Sequence, residues 1–460
     1  MVNRLIKTIA ILLVFIQCGS ALSDEYAECP ETKGPTVWID DAPDCQANVS
    51  YCHHFGLDYV CTVNITEEDH SCLGGTQVMC VLPPVPPLPK PLPVTTLKLI
   101  TYNIWELTYL VSLTGQRERT CRIPAKLFEM HPEVDVVVLQ ETFMGGCIVN
   151  GNNSLKLRDI LREFGFVYST RTVGDSLAFL PQGGVQAKRN STAENGGVFV
   201  ASRWPIVKEE QMVFENYDST TSDALSAKGA MYALVRKTVD GVTKDFHIFG
   251  THLQSSEQPQ SPGIRVLQAG EVFSFMQSVS IPLGEPVIYT GDLNGDFINK
   301  TENARAIIAA LNATKPPLSG SLVVTYDHQN NDNLDPIDKE AEYLDYILTS
   351  NGHEQPLTAT SKVLRPRSDK PLLVCRGFHL IFKYPHSPDC RKTKTITDLS
   401  DHYAVVGIFE YPKDMAEMTT PHPHRQTTSN GSHSSPSPYW MWVFYPVSLA
   451  IGLMVNSSPV

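Results

Sequence analysis

The stretch PVIYTGDLNGD, Pro286 to Asp296, begins as a buried strand and ends with Asp292, Asn294 and Asp296 at alternate positions. Side chains two apart on a strand share a face, so Asp292 and Asn294 project together from its carboxyl end. Open sheets place their chemistry at that end. Taken alone, D-x-N-G also reads as a turn, because Asp, Asn and Gly are the commonest turn residues. The rest of the chain repeats the pattern. LKLITYNIW, VDVVVLQETF, GGVFVASRWPI, FHIFGTHLQ, EYLDYILTS and HYAVVGIFEY are β-branched apolar runs that end in, or lead into, polar residues. Helical periods lie between them, at Leu157, Ile160, Leu161 and Phe164, and at Val266, Ala269, Phe273 and Met276. MYALVRKTVDGVTKDFHIFGTHL predicts an antiparallel hairpin turning at Asp240-Gly241. The expected fold is α+β: a mixed, largely antiparallel set of strands in two packed sheets covered by helices.

The polar residues at the strand ends are Asn103, Glu141, His252, Asp292, Asn294, Asp345, Asp401 and His402. Singly each has an ordinary explanation: a helix cap for Glu141, a closing turn for Asp401, a satisfied core or surface side chain for a histidine. Together, with no thiol nucleophile or Gly-x-Ser-x-Gly elbow in evidence, they suit hydrolysis assisted by a hard cation.

The 460-residue chain is 42% hydrophobic and 19% charged, ordinary for a protein with a large core. Its formal net charge of -12 argues against a phosphate-backbone binder, which needs clustered Lys and Arg. Residues 1–23 place Arg4 and Lys7 before the apolar run Ile9 to Ile16 and then small residues, the order of a cleaved secretory signal. With Cys18 in that signal, ten cysteines remain: Cys29, Cys45, Cys52, Cys61, Cys72 and Cys80, then Cys121, Cys147, Cys375 and Cys390. Both sets are even, which fits an oxidising compartment. Asn48, Asn64, Asn152, Asn190, Asn299 and Asn312 are candidate glycosylation sites.

Residues 24–82 have few long apolar runs and read as a disulfide-stapled module; zinc is the rival reading, disfavoured by the absence of a C-x-x-C pair. The partner of this module is unknown. Residues 83–96 form a proline-rich linker, expected to be a semi-rigid spacer. Beyond the catalytic region, 97–412, residues 413–438 form a Ser, Thr, Pro and His-rich stalk expected to be disordered. In 439–460 the apolar run Tyr439 to Val455 is near the ~17-residue lower limit for a spanning helix, contains Pro446 and has no Lys or Arg after it. Small residues at Ser429 to Ser432 fit a glycosylphosphatidylinositol signal with attachment at or beside Asn430. The expectation is an extracellular protein anchored to the outer membrane leaflet, with a transmembrane helix or soluble secretion as alternatives.

TYNIW, LQETF, GGVFVASRWPI, GTHLQ, TGDLNGD, YLDYIL and SDHYAV occur, over residues 97 to 411, in the order characteristic of the endonuclease/exonuclease/phosphatase superfamily. Within it, GTHLQ and DALSAKGAMY, Asp223 to Tyr232, resemble the secreted bacterial-type neutral sphingomyelinases. The resemblance implies a four-layer αββα sandwich of the deoxyribonuclease type and one divalent cation, Mg2+. It implies Glu141 and Asn103 as metal residues, Asp292 and Asn294 as the pair that orients water and contacts phosphate, and His402 as base with Asp345 behind it. His252 is expected to face the phosphate, Asp401 to lie near the metal and His402, and Lys228 to bind substrate. The expected substrate is membrane sphingomyelin. The interval Leu372 to Cys390 stands where related enzymes carry an exposed hairpin, with Leu380, Ile381, Phe382 and Tyr384 as candidate membrane contacts and a Cys375–Cys390 bridge that departs from the bacterial pattern. A secreted nuclease and a non-enzymatic surface binding protein on an inactivated scaffold are the alternatives.

Overall fold

The computed structural model describes residues 29–39, 47–65, 75–108, 111–150, 153–174, 185–186, 192, 194–337, 339–376 and 392–413. The signal segment, Cys45, Cys72, Cys390, Asn152, Asn190, Leu380, Ile381, Phe382, Tyr384, the stalk and the tail with Asn430 lie outside them.

Two seven-stranded sheets form the body. The first runs, edge to edge, through Leu318–Ser319, Thr358–Leu364, Ala404–Glu410, Thr96–Asn103, Val136–Gln140, Phe199–Ser202 and Tyr168–Ser169. The second runs through Ala313–Thr314, Asp345–Ser350, Val287–Asp292, Val242–His252, Gly229–Val239, Ile206–Val213 and Val185–Gln186. Most neighbours are antiparallel; the parallel pairs are Thr96–Asn103 with Val136–Gln140, Leu318–Ser319 with Thr358–Leu364, Val242–His252 with Val287–Asp292, and Ile206–Val213 with Val185–Gln186. The hairpin at Asp240-Gly241 forms as expected, with Val239 opposite Val242 and both turn residues at positive φ, 51° and 80°. That is the backbone which two-residue hairpin turns require.

The sheets lie face to face, and both faces of the central strands are covered. Leu99, Val136, Val138, Val200, Ile248, Ile288 and Ile347 fill a core shared with the helices Ser261–Val279 and Thr301–Ala310. On the far side of the first sheet, Ile100, Tyr102, Val137 and Leu139 meet Leu127, Ile160 and Leu161. Double-sided burial is why VVVLQ reads as an unbroken apolar run and not as an alternation. In the helix Ser261–Val279 the buried stripe is Ala269, Val272, Phe275 and Met276, whereas Val266 and Phe273 are only partly buried.

A buried ion pair lies in this body away from the chemistry-bearing strand ends. Lys237 is fully buried, its Nζ 2.9 Å from the Asp135 carboxylate and donating to Thr96 O at 2.7 Å. Breaking a buried pair leaves one charge uncompensated, which costs about 3–5 kcal/mol. Lys237→Ala is expected to lose that much stability in urea unfolding, while Lys237→Met combined with Asp135→Asn loses clearly less.

Among its described residues the N-terminal module has three strands, ordered Thr36–Ile39, Gly75–Val81, Asp58–Ile65, and a helix, Val49–Phe55. Asn48 caps the helix, its Oδ1 accepting from Ser50 N at 2.9 Å. Disulfides Cys29–Cys61 and Cys52–Cys80 staple it, and Cys121–Cys147 closes within the later set. Cys375 is also disulfide-bonded. These bonds settle the zinc rival for the four early cysteines described. The module shares its core with the first sheet through Phe55, Leu57 and Val78, and His54 Nε2 stands 3.0 Å from Glu118 Oε1. Arg122 Nη2 donates to the carbonyls of His53 and His54 at 3.1 and 2.9 Å. The proline stretch lies along the body: Val85 packs against the core beneath the first sheet, and the Leu88 side chain reaches over Gly165.

Candidate active site

Strand register assembles the site. His252 pairs with Asp292, and Asp292 with Asp345, so three chemistry-bearing residues stand side by side at one end of the second sheet. Close pairing at this end needs the glycine of TGD: Gly291 has φ 142°, and a Cβ there would lie 1.9 Å from Thr251 O. Period-two alternation points His252, Asp292 and Asp345 the same way as Ile248, Ile288 and Ile347, towards the first sheet. From that sheet Asn103 answers: its Nδ2 donates to Asp292 Oδ2 and to Glu141 Oε1, both at 3.1 Å. The two sheets thus meet at their ends through one amide and two carboxylates.

His402 Nδ1 is 2.8 Å from Asp345 Oδ2, and its Nε2 is 3.7 Å from Asp292 Oδ2. A carboxylate behind Nδ1 fixes the tautomer that leaves Nε2 available as an acceptor. Burial works against charge on this imidazole, but Asp345, Asp292 and Asp401 outweigh it and raise its pKa well above the ordinary range. His252 goes the other way: burial, then Lys228 and His402, hold it well below, so it is neutral. Burial pushes Asp292 up to about 6 and, with Asp401 beside it, Glu141 up to about 7.

Lys228 Nζ donates to Asp223 Oδ2 at 2.9 Å and Leu253 O at 3.2 Å, and lies 3.2 Å from His252 Nε2. Asp223 is itself held by Ser255 N and Oγ at 2.7 and 2.9 Å. Asn294 N donates to Asp292 Oδ1 at 2.9 Å and its Nδ2 to Leu253 O at 3.2 Å. Asp401 accepts from Ser400 Oγ at 3.0 Å. Every residue singled out from the sequence as catalytic, metal-binding or substrate-binding therefore lies in one cluster; of the glycosylation candidates, Asn48, Asn299 and Asn312 are exposed.

The donor set fits a hard cation. Glu141 Oε2 is buried with no hydrogen-bond partner among the described residues, an oxygen that a hard cation would satisfy. Asn103 presents its NH2 to both carboxylates, while its carbonyl oxygen accepts from Trp105 N at 3.1 Å, so in this geometry it positions Glu141. Asp292, Asp345 and His402 also bring ligand atoms within 4.8 Å of one another. His402 and Asp345 are already bonded to each other, and magnesium prefers all-oxygen donors, so Glu141 is the better anchor.

Several contributors are not visible in the sequence. Arg119 is fully buried, and the geometry uses all five of its N–H groups: on Thr114 O and Oγ1 at 3.0 and 2.9 Å, Ile104 O and Trp105 O at 2.7 Å each, and Leu399 O at 2.9 Å. It therefore ties the loop after Asn103 to the loop carrying Asp401 and His402. Glu106 accepts from Gly145 N and Gly146 N at 3.1 and 3.0 Å, and its own N donates to Glu141 O at 2.9 Å. Trp105, Glu141 and Asn294 have φ of 52°, 56° and 50°, left-handed backbone that costs non-glycine residues about 1–2 kcal/mol each and persists where neighbours over-determine it. Arg119→Lys, which keeps the charge and loses the fork, is expected to lower kcat about 10²-fold by misplacing the two loops, with KM changed far less. Steady-state kinetics checks this split.

Comparison with known proteins agrees with this geometry. The model of the Endonuclease/Exonuclease/phosphatase family matches residues 100–402, and the chain belongs to that family. It is thus an enzyme of the hydrolase class. Sphingomyelinase C of Bacillus cereus is 31% identical over 323 residues, 68% of this chain and 88% of that protein. Phospholipase C of Staphylococcus aureus is 29% identical over 325 residues, 68% and 86% of the two chains. Among solved structures, SmcL has a TM-score of 0.55 at 29% identity, covering 68% of this chain and 99% of that one. A beta toxin variant from Staphylococcus aureus with bound magnesium ions has a TM-score of 0.55 at 26% identity, covering 69% and 100%.

Proposed function

We propose that the chain is a magnesium-dependent phosphodiesterase of phospholipase C type that hydrolyses sphingomyelin to ceramide and phosphocholine. The observation that carries this reading is the dyad of His402 and Asp345, 2.8 Å apart, facing Asp292 beside the orphaned Glu141 oxygen. His402 Nε2 takes a proton from water, Asp345 stabilises the resulting imidazolium, and Asp292 with Asn294 aims the oxygen at phosphorus. The P–O bond to ceramide breaks, and the departing alkoxide takes up, by way of solvent, the proton that His402 removed from water, which returns His402 to its neutral form. His252 and Lys228 lie on the opposite flank of Asp292, where they meet the phosphoryl oxygens and the leaving oxygen. Magnesium held by Glu141 supplies positive charge for those oxygens and offsets the carboxylates that raise His402.

Location belongs to the same proposal: secretion, with a glycosylphosphatidylinositol anchor at or beside Asn430, brings the enzyme to substrate in the outer leaflet. Purified protein incubated with sphingomyelin, phosphatidylcholine, lysophosphatidylcholine and DNA, with magnesium and with chelator, tests the activity. Phosphocholine release from sphingomyelin that stops with chelator is expected. DNA cutting without lipid hydrolysis would instead support the nuclease reading. Release of active enzyme from intact cells by a phosphatidylinositol-specific phospholipase C tests the anchor.

A further inference from the structure

Tyr326 sits beside the base through the backbone. It is bridged to His402 on one side and to Glu342 on the other, both antiparallel. Directly opposite residues of such pairs carry side chains on the same face, with Cβ atoms ~5 Å apart. The Tyr326 ring accordingly lies 4.9 Å from the His402 ring, tilted by 56°. The other flank already holds a cation. Lys339 Nζ stands 5.6 Å from the Tyr326 ring centroid and 2.7 Å from Glu342 Oε2. Glu342 is buried, at 5% side-chain exposure, whereas Lys339 is 35% exposed. An aromatic face and a fixed carboxylate thus converge on one ammonium, which belongs to a long and partly solvated side chain.

We infer that the face of Tyr326 together with Glu342 forms a subsite for the quaternary ammonium of the substrate headgroup, and that the Lys339 ammonium occupies it until substrate enters. The inference rests on the proposed function and specifies how that site selects its headgroup. A quaternary ammonium has no N–H to donate, so it is recognised by a π face and a nearby negative charge, not by hydrogen bonds. Choline places its nitrogen on a two-carbon arm from the phosphate ester, which suits a ring that adjoins the base. Glu342 is held by its backbone, its N donating to Tyr326 O at 2.8 Å and its O accepting from Tyr326 N at 3.1 Å, so the carboxylate and ring keep a fixed relation. Lys339 can withdraw into solvent without exposing an unpaired buried charge, because the incoming cation replaces it against Glu342.

The test compares two soluble esters with one leaving group, p-nitrophenyl phosphorylcholine and methyl p-nitrophenyl phosphate, with magnesium present. The readout is the ratio of their kcat/KM values, which cancels general damage to the base. Wild type is expected to favour the choline ester. Tyr326→Leu should cut that ratio about tenfold or more, Tyr326→Phe should keep it, and Glu342→Gln should lower it. Lys339→Met, which removes the competing ammonium, should lower KM for the choline ester, a gain that misfolding cannot produce. A wild-type choline preference that survives Tyr326→Leu, or a Lys339→Met variant with raised KM, overturns the subsite alone. Wild type that hydrolyses neither ester overturns the proposed function with it.

Discussion

His402→Ala lowers kcat by about 10² to 10⁴-fold, the range for loss of a positioned general base, with affinity for magnesium nearly intact. The reason is positional: Nε2 is the only imidazole atom left free once Nδ1 engages Asp345 at 2.8 Å, and the nearest of its acidic neighbours, Asp292 at 3.7 Å, does not occupy it. Asp345→Asn retains the shape and removes the charge that holds the tautomer, so it is expected to lose activity in the same direction. In both variants the loss belongs in kcat. A His402→Ala enzyme with a raised KM and wild-type kcat would place the base elsewhere.

Glu141→Ala gives the contrasting defect. Its Oε2 is buried without a hydrogen-bond partner among the described residues and is the oxygen best placed for the cation, so removing it is expected to weaken magnesium binding more than about 100-fold, with activity partly recovered at high magnesium. Titration calorimetry on the two variants separates them, since only one should lose affinity. The same carboxyl sets a pH dependence. Burial and Asp401 push it up to about 7, so below that pH a proton competes with the cation, and magnesium affinity should fall about tenfold per unit of pH. In the Glu141→Ala variant that slope should largely vanish.

Much of this arrangement was legible in the sequence because both of its determinants are local. Strand ends follow from apolar runs, and polar side chains at those ends follow from the alternation of faces; VIYTGD and YLDYIL give Asp292 and Asp345 before any pairing is known. What the sequence hides is what tertiary packing decides. QRERT, Gln116 to Thr120, is made of residue types that usually face solvent, yet Arg119 is buried because carbonyls of two catalytic loops converge on it. Its neighbour Glu118 is likewise turned inward by His54 of the module. No period in the sequence signals the positive φ of Glu141, whose carbonyl accepts from Glu106 N, distant in the chain. Tyr326 precedes an Asp- and Asn-rich segment that reads as a loop, and only the bridge to His402 gives its ring a place. The proline stretch read as a spacer because composition sets stiffness; composition does not tell whether a stiff segment lies along a surface.

The central claim is that water is activated beside His402 and attacks phosphorus, breaking the bond to ceramide. Hydrolysis of sphingomyelin in H₂¹⁸O, followed by mass spectrometry of both products, tests it directly. The account predicts one ¹⁸O in each phosphocholine released, none in ceramide, and no turnover with chelator present. Label in ceramide with unlabelled phosphocholine, or undiminished turnover without magnesium, would contradict it.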